Sequence, residues 1–119
     1  MKESILKSKS YSFAIQIIEL TKKLTSEKRE FILTRQLTKS GTAIGALIRE
    51  AEFGQSKRDF INKMNISLKE ANETIYWLNL LKDTDYIDNE HFKELDLICN
   101  ELIAMLVSTI KTSKKNLDN

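Results

Sequence analysis

Apolar residues return every three or four positions along four stretches of the chain, and short polar breaks separate the stretches. In the first, Phe13, Ile17, Leu20 and Leu24 share one stripe, the spacing of an amphipathic helix whose apolar side turns to a core. Ser10 stands before it as an N-cap, and residues 1–9 read as a frayed lead-in. The second stretch opens near Ser26, with Glu27 and Glu30 in a first turn where the helix dipole favours acids, and runs to Phe53. Its stripe is Leu33, Leu37, Ile44, Ile48 and Ala51, with Leu47 on the flank, and Gly54 follows as a residue that tolerates a left-handed backbone. The third opens with SKRD, in which Ser56 caps and Asp59 follows three residues later; Phe60, Met64, Ala71, Ile75 and Leu78 form its stripe up to the polar run KDTD. The fourth starts after the N-cap Asp88 and carries Leu95, Ile98, Leu102, Leu106 and Ile110, with Cys99 and Met105 alongside, before residues 112–119 fray.

Short links between such helices leave each one to turn back along its predecessor. The predicted fold is therefore all-α: an antiparallel up-down four-helix bundle, one domain over residues 1–119. Helices two, three and four would each span about 25 residues, or about 38 Å, with the first shorter.

Composition agrees with helix. The 119 residues include no proline and three glycines, with 41% hydrophobic and 30% charged residues. No stretch is apolar enough to span a membrane, and MKESILKSKSYSF lacks the apolar core of a signal peptide, so a cytoplasmic protein with no membrane partner is expected. A lone cysteine, Cys99, agrees with a reducing compartment. The net charge of +2 is small, but its distribution is uneven. Residues 1–69 hold 14 Lys+Arg against 7 Asp+Glu, whereas residues 70–104 hold 2 against 9. Such an asymmetry can steer an anionic partner or dock identical subunits side by side.

Two of the three glycines, Gly41 and Gly45, lie four apart in SGTAIGA, inside the second helix, where each should cost about 1 kcal/mol relative to alanine. They fall about 40° and 80° from Leu37 on a helical wheel, forming a small-residue strip beside the core stripe with Ser40 and Ala46. Another backbone can approach closely there, either inside the bundle or from a second subunit. Off-stripe apolar groups point to self-association: Tyr11, Ile15 and Ile18 on the first helix and Ile66, Trp77 and Leu80 on the third. Reactive groups are few. His91 is the sole histidine, so paired Glu-x-x-His motifs for a di-iron bundle cannot be assembled from one chain, and Cys99 falls near the core stripe. Glu70 and Glu73, three apart, suit ion pairs better than a paired-carboxylate site. No catalytic residue, cofactor or metal site is expected.

The segments SGTAIGA, SKRDFI and KEANETIYWL, in this order and spacing over residues 37–87, resemble the four-helix-bundle proteins named after the 23S rRNA intervening sequences in which some are encoded. The resemblance extends from Phe13 to the end of the fourth helix. It departs at Leu47, where the family usually has an asparagine, so any polar contact made by that asparagine is absent. The resemblance implies a bacterial, left-handed up-down bundle that assembles into a ring-like homopentamer without established enzymatic activity. It also extends to the accessory variability protein of diversity-generating retroelements, a pentamer of the same bundle that binds a reverse transcriptase and nucleic acid.

Two functions follow as expectations. The first is a non-enzymatic homo-oligomeric binding or scaffold module, joined through Gly41, Gly45 and the off-stripe residues. The second is a nucleic-acid-binding accessory factor, associated with rRNA or a reverse transcriptase, using Lys22, Lys23, Lys28, Arg29, Arg35, Lys39, Lys57, Arg58 and Lys63. Those cations divide between the two ends of an up-down bundle, and a ring would multiply each weak patch into useful, salt-sensitive affinity. No helix-turn-helix, zinc-finger or aromatic RNA-binding signature accompanies them.

Overall fold

The structure, a computed structural model, describes residues 2–118, with side chains from residue 5 to residue 117. Four helices follow one another: α1 (Lys2–Glu27), α2 (Leu33–Glu52), α3 (Lys57–Asp83) and α4 (Asn89–Asp118). No strand occurs among the described residues, and none of the helices is long and apolar enough to cross a membrane. Each helix packs on its sequence neighbours, and α1 closes against α4, which leaves α1 diagonal to α3 and α2 diagonal to α4. The result is an up-down bundle measuring 52 × 22 × 20 Å. One end carries the connections 28–32 and 84–88, hereafter the double-turn end; the other carries 53–56 and both ends of the described chain.

The predicted stripes form the core. Phe13, Ile17, Leu37, Ile44, Met64, Leu78, Leu95, Leu102 and Leu106 are all fully buried. Phe60 and Ile75 are only half-buried, while Ile61 and Leu81 go deeper, so the inward side of α3 is rotated slightly from the predicted one. The α3 and α4 starts are as read. The Ser56 hydroxyl accepts from the Asp59 N–H at 3.0 Å, and the Asp88 carboxylate accepts from the His91 N–H at 2.7 Å.

The other boundaries differ for local reasons. Residues 1–9 are not a frayed lead-in from Lys2 onward: α1 has 26 residues, Leu6 is buried, and Ser10 is a buried mid-helix residue whose hydroxyl donates to the Lys7 carbonyl. Residues 112–118 likewise continue α4, with Leu117 packed against the core; Met1 and Asn119 lie outside the described residues. Ser26 belongs to the last turn of α1, donating to the Lys23 carbonyl, and α2 begins only at Leu33. Arg29 adopts φ 55°, breaking the helix, and the Glu30 carboxylate then accepts from the N–H groups of Ile32, Leu33 and Thr34 at 3.2, 3.1 and 2.8 Å. Glu30 therefore caps α2 instead of sitting in its first turn. Gly54 does not use positive φ. Its place is steric: a Cβ there would lie 3.0 Å from both the Ala51 carbonyl and the Asp59 carboxylate.

Candidate functional site

The surface, more than any enclosed cleft, carries this protein's candidate chemistry. Tyr11, Ile15 and Ile18 of α1 recur at spacings of four and three, and all three are exposed, Tyr11 by 69%. They cannot reach the core because Phe13 and Ile17 already occupy the inward side. Tyr11 and Ile18 join Ala14, Gly45, Ala46 and Arg49 in lining a groove of about 730 Å³ between α1 and α2. On diagonal α3 the exposed aromatic is Tyr76, at 58%, beside Ile66, at 36%. Trp77 and Leu80 are half-buried, and Trp77 packs against the core with its ring edge-on to Tyr76 at 4.9 Å. Sequence spacing missed Tyr76 because it adjoins Trp77, and a wheel cannot tell which of two adjacent aromatics turns inward.

The glycine strip meets its neighbour within the chain. Gly41 is buried, and a Cβ there would lie 3.0 Å from two side-chain carbons of Ile17. Gly41 is thus covered by α1 of its own chain. At Gly45 a Cβ would meet the Ser10 hydroxyl at 3.1 Å. Gly45 still lines the α1–α2 groove and remains partly accessible. On the other side of α2, small polar residues form a second close seam: the Ser67 hydroxyl donates to the Ile44 carbonyl at 2.9 Å, and the Ser40 and Thr74 hydroxyls share a bond at 3.0 Å. Leu47, at the departure from the family pattern, is half-buried.

The nine basic candidates do not form one site. Lys22, Arg35 and Lys39 converge around a groove of about 430 Å³ between α1 and α2 near the double-turn end, which Phe31 also lines. The Arg29 guanidinium lies over the Phe31 ring, 5.8 Å from its centre, and Lys23 and Lys28 are exposed nearby in sequence. Lys57, Arg58 and Lys63 stand at the opposite end, where Lys63 pairs with Glu50 at 3.4 Å. Lys22, Arg35 and Lys39 have no carboxylate within 4 Å among the described residues, and neither has Arg49. The groove's Thr21, Thr25 and Thr34 hydroxyls donate to carbonyls of Ile18, Lys22 and Glu30.

Cys99 and Glu30 are committed to structure. Cys99 is fully buried between α4 and α3, its thiol donating to the Ala71 carbonyl at 3.4 Å. Burial, with Asp96 nearby, pushes that thiol up to about 12, far from the reactive thiolate range. Burial works to raise the Glu30 carboxyl too, but its backbone N–H donors together with Thr34 outweigh that effect and hold it below the ordinary carboxylate value. His91 is half-buried in the first turn of α4. Among the described residues no three His, Cys, Asp or Glu side chains converge as metal ligands would.

Comparison with known proteins places this geometry in a family. The family model described as 23S rRNA-intervening sequence protein matches residues 2–108. A crystal structure of a protein with unknown function from the S23 ribosomal protein family of Bacteroides thetaiotaomicron superposes with a TM-score of 0.92 at 50% identity, covering 93% of this chain and 99% of that one. No curated protein matches.

Proposed function

The chain belongs to the 23S rRNA-intervening sequence protein family, and on that premise we propose that it is a non-enzymatic, self-assembling scaffold module of the cytoplasm. One observation carries the reading: two diagonal helices, α1 and α3, each expose apolar and aromatic groups, Tyr11, Ile15 and Ile18 on one and Ile66 and Tyr76 on the other. Solvent exposure of such groups on opposite sides of a small bundle is unfavourable by about 25 cal/mol per Å² of apolar area, and a partner relieves it. Because the two faces differ, a contact that joins them is heterologous, and repeated heterologous contacts close into a ring when the rotation between neighbours divides a full turn. Five subunits is the number that the family resemblance implies. Replacing Ile15 by Glu places a charge inside that contact. The I15E variant should keep its helical circular dichroism and elute as a monomer in light-scattering chromatography. An I15E assembly of unchanged mass would remove α1 from the interface.

A second reading is favoured by the Lys22, Arg35, Lys39 and Phe31 groove, where unpaired cations and an exposed ring meet as they do in single-strand binders. Filter retention of mixed RNA at low salt, lost steeply as salt rises, would support an accessory nucleic-acid function. No retention at low salt would end it.

A further inference from the structure

The two grooves between α1 and α2 are parts of one furrow. On α1 its lining runs from Lys7 through Tyr11, Ala14 and Ile18 to Lys22 and Thr25, and on α2 it runs back from Arg49 through Gly45 and Thr42 to Lys39 and Arg35. These positions recur every three or four residues, so each helix gives the furrow one continuous face. We infer that this furrow binds a client protein through an acidic amphipathic helix, whose apolar residues fill one half and whose carboxylates meet the cations of the other. The inference goes beyond self-assembly, and it leaves Ile15, which lines neither half, to the contact between copies.

The half near the chain ends, of about 730 Å³, is suited to close apolar contact. Ala14, Gly45 and Ala46 carry at most a methyl group and let another backbone approach, while exposed Tyr11 and Ile18 supply apolar surface on α1. The half near the double-turn end, of about 430 Å³, is basic, with Lys22, Arg35 and Lys39 beside exposed Phe31. Neither half is lined by Asp or Glu. Of the five lining cations only Lys7 is paired among the described residues, with Glu52 at 2.8 Å. Glu30, close to the basic half in sequence, turns both carboxylate oxygens to backbone N–H groups of the α2 start. Glu19 and Glu27 of α1 are exposed but line neither half.

A furrow between two packed helices accepts a third helix, whose side chains at i, i+3, i+4 and i+7 enter it. From Lys7 to Thr25 the furrow runs about 27 Å, the length of about 18 helical residues. A single-stranded nucleic acid would meet the cations but would lay phosphates along the apolar half. A helix with an apolar stripe toward one end and carboxylates toward the other satisfies both halves at once. The same cations repel a basic helix of equal hydrophobicity, which gives the furrow a choice of partner by charge.

Fluorescence anisotropy of a labelled synthetic helix tests this. The probe has about 18 residues, with leucines on one stripe in its first half and glutamates in its second, and is titrated with the full chain. Saturable binding in the micromolar range is expected, weakening steeply with salt. Arg35→Glu/Lys39→Glu, at exposed positions, and Ala14→Arg, in the apolar half, should each weaken it about ten-fold, with circular dichroism confirming that both variants remain helical. A peptide of the same composition in scrambled order should lose about as much. Equal binding of the scrambled peptide would reduce the contact to bulk charge and overturn the docking, as would unchanged affinity in both variants. Absence of saturable binding to the wild type, including a furrow already covered by copies of the chain, would overturn it too. Loss of RNA retention in Arg35→Glu/Lys39→Glu with peptide affinity unchanged would assign these cations to nucleic acid and likewise overturn the docking.

Discussion

Gly41 gives up about 1 kcal/mol of helix propensity so that Ile17 can lie against the α2 backbone. Ile17 is fully buried and branched at Cβ, so it cannot turn away from an added methyl group. Gly41→Ala should therefore lower stability by about 1 to 2 kcal/mol despite the better helix former, read as a lower urea midpoint at unchanged m. Gly45→Ala faces a serine hydroxyl instead, which can rotate, and should be close to neutral. A Gly45→Ala loss as large as that of Gly41→Ala would contradict this account of the strip. Glu30 offers a pH test. Its folded pKa is depressed, so the unfolded chain binds more protons in the window between the two values, and stability falls as pH drops through the folded pKa. Glu30→Ala should cost about 1 kcal/mol at neutral pH and lose part of the wild type's acid-side decline. Parallel acid titrations of unfolding would disprove the cap's role if the two declines coincided.

At the level of elements, the bundle was legible because its stripes are long and their period unambiguous. Four helices, their order and most core residues follow from spacing alone. Two boundaries were hidden by chemistry that a hydropathy pattern does not carry. The α1 stripe runs through Leu6, Ser10 and Phe13, but Ser10 reads as a cap when its burial beside Gly45 is not visible. The α2 start depends on one carboxylate reaching three backbone N–H groups, which is a tertiary fact of the 28–32 turn. The Ser40, Ser67 and Thr74 seam was equally hidden, since small polar residues between apolar ones look like surface. Cys99 belongs to the α3–α4 seam, and its burial with a raised thiol predicts no reaction with a thiol reagent in the native state and full reaction in denaturant. Rapid native labelling would show that α4 opens from α3 far more readily than this packing allows.

For the whole molecule, sequence placed nine cations and eight interface candidates without saying which share a face. Folding sorts them. It separates Lys57, Arg58 and Lys63 from the basic groove, turns Trp77 and Leu80 partly inward, covers Gly41, and brings Tyr76 to the surface. What remains outward includes two unlike faces with exposed apolar groups on α1 and α3, and the scaffold reading assigns them to copies of the chain. Sedimentation velocity of the wild-type chain over a micromolar concentration series tests that claim most directly. The account predicts a discrete species at a whole multiple of 13.8 kDa, five-fold if the family's ring is kept. A single 13.8 kDa monomer across the series would contradict it.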